Sequence, residues 1–451
     1  MLSLVAGAAT ASPGRARADA TTILNPGRVC IGDVGALEGG ALIARANDGA
    51  ATWYNPAGLA RASHPSISSN ASVYELNRIE TSGGGTETAN TFNIVPSYMG
   101  SVGFIVDEPG RSRTAWGFAI VVPLHWKSIA VAEQAAGSPA AGLTYSRYSS
   151  AAEVRTLVPG VAVAQDLGAW VDGLSVGVGL SAPLTTEYQQ WTLFERQDPV
   201  RLLRQASFVQ ESMAVQAQFS VGVAWRPIEG LDLGLQARLP AIDVYGRTSM
   251  HFGHVAYDAP TSDAEHGSEK SLGYAFKRPT ELGLGAAWTR PRFGLEVDAT
   301  LRLGLDAYHR FGGQLGTRNV LYETENQNAT REDFSHAFDR WSERTVFNVR
   351  GGGHVRFTQA LAWHVGAFTD RTPLERSLYD DYGGYYQKVD LFGATTGVTY
   401  ENKNSVVGLG VSYTFSGDMK TEAYDLESRE NVRENASVDI IGFILSGRHS
   451  F

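Results

Sequence analysis

The stretch Ala36-Leu-Glu-Gly-Gly-Ala-Leu-Ile-Ala-Arg-Ala-Asn-Asp-Gly-Ala-Ala-Thr-Trp-Tyr-Asn-Pro-Ala-Gly-Leu-Ala60 decides how the rest of the chain is interpreted. Small residues dominate it, so its backbone can pack closely inside another structure. It ends in Asn55, Pro56, Ala57 and Gly58, a run that favours a turn because Asn bonds its own backbone, Pro fixes φ and Gly tolerates positive φ. The stretch lacks the alternation of apolar and polar residues that is typical of strands, whereas the chain after it shows this alternation strongly. A compact plug followed by a barrel is the simplest structure that explains both observations.

Three later segments alternate apolar and polar residues with a period of two, at residues 231–239, 293–303 and 407–415. This period places the apolar set on one face of a strand and the small, polar or charged set on the other. A soluble β-sandwich shows the same alternation, so the pattern alone leaves both architectures open.

The lengths of the connections separate the two architectures. About fourteen candidate strands follow residue 64, and their links alternate between tight turns and long connections. The tight links are residues 226–230, 290–291, 358–360 and 401–404, and the long ones are 185–214, 246–280, 304–345, 370–388 and 416–436. Short turns at one rim and long loops at the other are typical of a transmembrane barrel. We therefore predict an all-β chain whose residues 64–451 form an antiparallel transmembrane barrel of about 14 strands.

A family resemblance supports this interpretation. The Gly39-Gly40-Ala41 run, Asp48 and the run from Tyr54 to Leu59 resemble the N-terminal hatch of the FadL/TodX family, outer-membrane transporters of long-chain fatty acids and other hydrophobic compounds. The resemblance implies a hatch at residues 21–63 inside the lumen, with Asn55, Pro56, Ala57 and Gly58 as its motif. It also implies sideways exit of the substrate at a kinked strand, near residues 113–123.

The N-terminus and the composition point to a secreted chain. Residues 1–20 read as a signal peptide, since an apolar segment is followed by small-x-small cleavage sites ending at Ala18 and Ala20. No later apolar run approaches the ~20 residues of a membrane helix. The net charge of -9, without a basic block, argues against a nucleic-acid partner, and Cys30 as the single cysteine excludes a disulfide framework.

The expected location is the outer membrane of a Gram-negative bacterium. A last strand ending in Phe451 resembles the recognition signal of the barrel-assembly machinery. We expect a monomer in contact with outer-membrane lipid and lipopolysaccharide, without a cofactor or a metal.

Signals for catalysis are weak. Gly173-Leu-Ser-Val-Gly177 matches the nucleophile elbow Gly-x-Ser-x-Gly, but Ser175 lies inside an alternating strand rather than at a strand-turn-helix junction. We expect no enzyme.

Two groups of residues are candidates for binding. The connection at residues 185–214 is too apolar for a free surface loop, with one or two helical turns near residue 200, so it must pack on something or bind something. The resemblance implies that it contributes to a hydrophobic groove where the substrate first lands; packing of the loop helices on each other is the alternative, and the two are compatible. Its candidate residues are Trp191, Leu193, Phe194, Leu202, Leu203 and Phe208. Arg238 and Arg302 either seat a ligand carboxylate or join a lumenal charge network with Glu296, Asp298, Arg350 and His364.

These features favour a passive channel for fatty acids or similar hydrophobic compounds. A structural or adhesive barrel with a closed hatch is the alternative, and a soluble β-rich enzyme is a third.

Overall fold

In the computed structural model the chain forms one closed ring of β-strands. The structure describes residues 17–18, 21–81, 86–92, 97–106, 112–138, 142–197, 202–258, 261–312, 318–322, 341–375, 378–379, 385–417, 419–425 and 430–451. The predicted signal peptide therefore lies outside the described residues, except for residues 17–18.

Fourteen positions around the ring, β1 to β14, form the wall. They are β1 Ser66–Thr81, β2 Thr86–Phe92 with Tyr98–Val106, β3 Thr114–Ser138, β4 Gly142–Asp166, β5 Leu174–Ser181 with Leu184–Gln197, β6 Leu202–Ile228, and β7 Leu231–Arg238 with Ile242–Asp258. The others are β8 Thr261–Tyr274 with Glu281–Arg290, β9 Phe293–Arg302 with Phe311–Gly312 and Arg318–Tyr322, β10 Val346–Arg356, β11 Leu361–Asp370, β12 Leu391–Glu401, β13 Ser405–Ser416 with Met419–Asp425, and β14 Glu430–Ser450. The predicted number of strands is confirmed.

Neighbouring wall strands pair antiparallel, and β14 pairs with β1 from Ser450 opposite Ser66 to Ala436 opposite Thr81. Among the described residues this last pairing closes the ring of strands, and it joins the two strands that would otherwise be its edges. Outside the wall, Thr21–Thr22, Leu378–Tyr379 and Tyr385–Tyr386 form a small sheet. Leu305–Tyr308 and Trp341–Glu343 form another, and Arg17–Ala18 pairs with Met419–Asp425.

The polarity of the wall is the reverse of that of a soluble sandwich. On β9, Leu295 and Val297 are about half exposed on the outer face, whereas Glu296 and Asp298, which alternate with them, are fully buried on the inner face. The same apolar outer face continues on β13 and β14, at Val407, Leu409 and Phe443 among others. A polar inner face under an apolar outer face fits a wall that has lipid outside and protein inside.

The inner face is covered by the segment that precedes β1, here called the inner segment (residues 23–62). It contains the short helix Ala51–Tyr54 and the 3₁₀ turns Gly35–Leu37 and Pro56–Arg61. Its residues are almost all buried, and it bonds wall strands on opposite sides of the ring, including β6, β9 and β12. The inner segment therefore lies within the ring.

The wall strands are longer than the alternation predicted. Within the segment 185–214, expected as a loop with helical turns, residues 185–197 and 202–214 instead belong to β5 and β6, which pair from Leu184–Val215 to Gln197–Leu202, and residues 198–201 lie outside the described residues. Much of the expected connection 246–280 is likewise strand, in β7 and β8. Because pairing satisfies the backbone groups of these mixed sequences, they continue the sheet rather than fold into loops. None of the helices among the described residues has the length and apolarity needed to cross a membrane.

Candidate functional site

The four-residue motif of the inner segment, residues 55–58, packs directly against the wall. Asn55 is fully buried, and its Nδ2 donates to the carbonyls of Ile43 and of Val223 on β6, at 3.0 Å each. Its Oδ1 accepts from the amide of Ala57 at 3.2 Å, so the side chain caps the turn that Pro56 begins. One asparagine thus fixes both the turn and its position on the wall.

Glycines of the wall permit this close approach. A side chain at Gly222 on β6 would collide with the Asn55 amide, and one at Gly177 on β5 would meet the backbone of Pro56 and Ala57. The backbone of the motif therefore lies directly against the sheet, as its small residues predicted.

Two carboxylates of β9 hold the middle of the inner segment. Asp298 accepts from the amides of Leu42 and Ile43 at 2.8 and 3.0 Å. Glu296 accepts from the Ala44 amide and from the Arg45 guanidinium, both at 2.6 Å. These wall charges serve as anchors for the inner segment rather than as free lumenal groups.

A second anchor joins Glu38 to the opposite wall. Its Oε1 accepts from Nδ1 of His354 on β10 and Nδ1 of His364 on β11, at 2.9 and 2.7 Å, and its Oε2 pairs with Arg45. Burial raises the pKa of Glu38, but the hydrogen bonds of the two histidines and the charge of Arg45 outweigh burial and hold its pKa well below its usual range. Glu38 is therefore ionised.

Between the inner segment and the long-loop side of the wall lies a cavity of about 100 Å³. Its lining combines apolar rings and aliphatic groups with several charged side chains. The apolar group includes Leu24, Ile43, Trp53, Leu124, Phe276 and Trp341, and the charged group includes Arg238, Arg278, Arg302, Arg350, Glu281, Glu343 and Asp370.

The arginines of this cavity differ in their partners. Arg238 pairs with Glu281 and lies 3.9 Å over the Trp53 ring, and Arg302 pairs with Glu343 at 2.8 Å. Arg278 instead bonds neutral oxygens, those of Gln216 and Thr156 at 3.1 Å and Thr185 at 3.2 Å. Among the described residues no carboxylate lies within ion-pair distance of Arg278. Arg278 was not among the candidates from the sequence, although its position just before Pro279, where β8 is interrupted, was a readable signal.

An aromatic cluster closes the cavity on the side of the long connections. The guanidinium of Arg310 lies 4.6–5.9 Å from the rings of five aromatic residues and pairs with the buried Glu187. The five are Tyr274, Phe276, Phe311, Trp341 and Tyr386. Both members of this pair were also missed, because they are 123 residues apart.

The six apolar candidates from residues 185–214 do not form one groove. Trp191 stacks on Phe208 and on Tyr148, at 6.5 Å between ring centroids, and Phe208 is buried. Alternation places Leu193 on the same face of β5 as Trp191 and Phe194 on the opposite face, where it packs edge-on against Tyr145. Leu203 is partly exposed, and Leu202 is placed opposite Gln197 by the pairing of the strands. The set is thus divided between the two faces of the wall.

The wall beside the cavity is interrupted along one line, here called the break line, which crosses β3 to β8. Pro123, Pro183, Pro240 and Pro279 lie where pairing shifts or a strand divides in two, as expected because proline has no amide to donate. A crevice of about 20 Å³ at this line is lined by Trp53 and Arg238 inside and by Val161 and Leu180, which are exposed on the outer face.

The Gly-x-Ser-x-Gly match does not form a nucleophile elbow. Ser175 is buried within β5, and its hydroxyl donates to the Ala224 carbonyl at 3.3 Å.

Comparison with solved structures agrees with this architecture. A FadL homologue of Pseudomonas aeruginosa is 14% identical, with a TM-score of 0.58 over 97% of this chain and 100% of its own. The toluene transporters TodX of P. putida and TbuX of Ralstonia pickettii are each 13% identical, with TM-scores of 0.56 and 0.54 over 94% of this chain and 99% of theirs.

The chain has the FadL-type fold. The resemblance read from residues 36–60 is confirmed at the level of the fold. No protein-family model matches the sequence, and no curated protein does. The FadL-type fold is shared here at an identity so low that function has to be argued from the site itself.

Proposed function

We propose that this protein is a passive outer-membrane channel for hydrophobic compounds, with residues 21–63 as its hatch. The observation that carries the proposal is the cavity enclosed between the inner segment and the Arg310 cluster, inside a ring whose outer face is apolar. The solved structures with this fold include transporters of toluene and a monoaromatic hydrocarbon channel. Outer-membrane lipid, lipopolysaccharide and the barrel-assembly machinery as partners, and a monomeric state, belong to the same proposal.

The energetic reason for such a route is the hydrophobic effect. Each CH₂ group costs about 0.8 kcal/mol to return to water, so a long acyl chain crosses a water-filled pore slowly. A path through apolar cavities in the wall avoids that cost. The concentration gradient drives the flow, and binding in the cavity sets the selectivity.

We propose an amphipathic substrate with an anionic head, such as a fatty acid. Arg238 and Arg302, the candidates from the sequence, are already paired with Glu281 and Glu343, whereas Arg278 faces the same cavity bonded only to neutral oxygens. A buried cation gains most from an ionic partner in a dry site. Arg350 in the same cavity also has no carboxylate partner among the described residues, but it bonds the carbonyls of Gly27 and Gly39 and so holds the inner segment. Arg278, which bonds only side chains of the wall, is therefore the proposed seat of the carboxylate, and the apolar lining beside it, including Phe276 and Leu124, receives the start of the acyl chain.

The head-group proposal is tested by uptake of two radiolabelled probes, an 18-carbon fatty acid and toluene, in cells that lack their own channel. Arg278→Met should reduce uptake of the acid at least tenfold and leave toluene uptake within twofold. Arg290→Met, on the outer face over Trp288, is the matched control. Equal loss of both probes would refute the carboxylate seat. If the unmodified protein carries neither probe, the channel itself is refuted, and the structural or adhesive barrel becomes the better explanation.

We further propose that the substrate leaves sideways through the crevice at the break line. The route agrees with the sequence expectation, since residues 119 and 121 of the expected kinked strand line the crevice. Gly160→Trp should fill the crevice and reduce uptake, whereas Val178→Trp, which adds the same bulk on the exposed outer face, should not. Unchanged uptake in Gly160→Trp would exclude this exit.

A further inference from the structure

Glu38, His354 and His364 bring three metal-ligating atoms together where the inner segment meets the wall. One ligand atom from each residue, a carboxylate oxygen of Glu38 and a ring nitrogen of each histidine, lies within 4.8 Å of the other two. The three residues come from the inner segment, β10 and β11, so the cluster connects separate parts of the molecule. Glu38 is fully buried, His364 nearly so, and His354 is slightly more open.

Two atoms of these side chains that face away from the cluster, His364 Nε2 and Glu38 Oε2, are already hydrogen-bonded by other groups. The Nε2 of His364 is 2.8 Å from the Thr399 hydroxyl, whose oxygen can accept a hydrogen bond from Nε2–H when Nδ1 binds a metal. The Oε2 of Glu38 is bonded by Arg45 and leaves Oε1 free to face the histidines. Partners of this kind, which fix ring orientation and tautomer, are characteristic of metal sites in proteins.

The charge and spacing also suit a divalent cation. Arg45 is shared between Glu38 and Glu296, so with neutral histidines these groups carry one net negative charge. Tetrahedral Zn²⁺ with bonds of about 2.0 Å places its ligand atoms about 3.3 Å apart. The distances of 2.7 and 2.9 Å between Oε1 and the two Nδ1 atoms need to widen by only about half an ångström.

We propose that Glu38, His354 and His364 bind one zinc-class divalent cation, which latches the inner segment to the wall. Two imidazoles and one carboxylate are ligands that Zn²⁺ accepts, and three protein ligands leave one position for water. The bound cation replaces two hydrogen bonds by coordinate bonds between the inner segment and two neighbouring strands. Release of the inner segment then depends on the concentration of the metal.

Direct binding is the first test. The purified full chain in detergent is stripped with a chelator and titrated with Zn²⁺ against a chromophoric competitor. We expect one Zn²⁺ per folded chain, with affinity reduced at least about tenfold in His364→Ala and His354→Ala. His364→Asn, which keeps a hydrogen-bonding group beside Glu38, should lose affinity equally. His64→Ala, at an exposed histidine, should not change it.

The latch is tested separately with Cys30, the single cysteine, which is buried in the inner segment. Zn²⁺ should slow maleimide labelling of Cys30 in the unmodified protein and in His64→Ala, but not in His364→Asn. Folding of each variant is checked by heat-modifiable migration in a gel. Absence of stoichiometric binding, or equal binding by the unmodified protein and the histidine variants, would refute the site. Binding without any effect on labelling would refute the latch.

Discussion

The substitution Glu296→Gln tests how strongly the wall holds the inner segment. Glu296 is fully buried and accepts two hydrogen bonds of 2.6 Å, one from the Ala44 amide and one from Arg45. Glutamine keeps one acceptor oxygen, so one charge-assisted hydrogen bond is lost while the volume is preserved. Such a bond is worth about 1.5–3 kcal/mol. Since 1.4 kcal/mol is a factor of ten, release of the inner segment should become roughly 10- to 100-fold more frequent.

Labelling of Cys30 by a maleimide measures this release without the transport assay. Burial raises the pKa of the Cys30 thiol to about 11, so the protein offers little reactive thiolate while the inner segment is docked against the wall. Glu401→Gln is the matched control, because it removes the same charge from a partly exposed pair with Arg356, of a kind that contributes about 0–1 kcal/mol. A labelling rate in Glu296→Gln within threefold of the unmodified protein would show that this anchor does not restrain the inner segment.

Three further predictions concern the same contacts. Burial, and then the Asp33 carboxylate, raise the pKa of Asp48 from 3.8 to about 7. The contribution of Asp48 to docking of the inner segment is therefore complete below about pH 4 and is lost as the pH rises through 7. Cys30 labelling, normalised to a free thiol, should be slower at pH 5 than at pH 8, and Asp48→Asn should flatten that profile. Gly222→Val places a side chain against Asn55 and should lower the temperature of inner-segment release measured by the same labelling, whereas Val178→Ala on the outer face should not. Arg310→Met leaves the buried Glu187 unpaired and should destabilise the fold by about 3–5 kcal/mol in gel-monitored unfolding, with partial recovery when Glu187→Gln is added; no recovery would refute a role for the pair.

The sequence predicted the features that depend on local period and local turn chemistry. Alternation in residues 293–303 placed Glu296 and Asp298 inside and Leu295 and Val297 outside, as the structure has them. The Asn55 motif was found because its capping chemistry is contained in four consecutive residues.

Features that depend on register across the ring were not readable from the sequence. Arg238 and Arg302 were sensible candidates for a free cation, but their pairing with Glu281 and Glu343 follows from which strands are neighbours. Residues 185–214 were expected as a loop because their apolar and polar residues alternate less regularly than those of the other wall strands. Glu38 and His364 are 326 residues apart, so only the closed ring brings them together.

The closure of the ring by its first and last strands also involves the inner segment. Arg448 on β14 lies 3.5 Å from Asp33 of the inner segment, and the neighbouring His449 and Ser450 pair with the start of β1. The inner segment is therefore bonded to the same strand that closes the ring. Separation of β14 from β1 would open the wall and remove support from the Asp33 contact together, so loss of the seam and release of the inner segment are expected to be coupled.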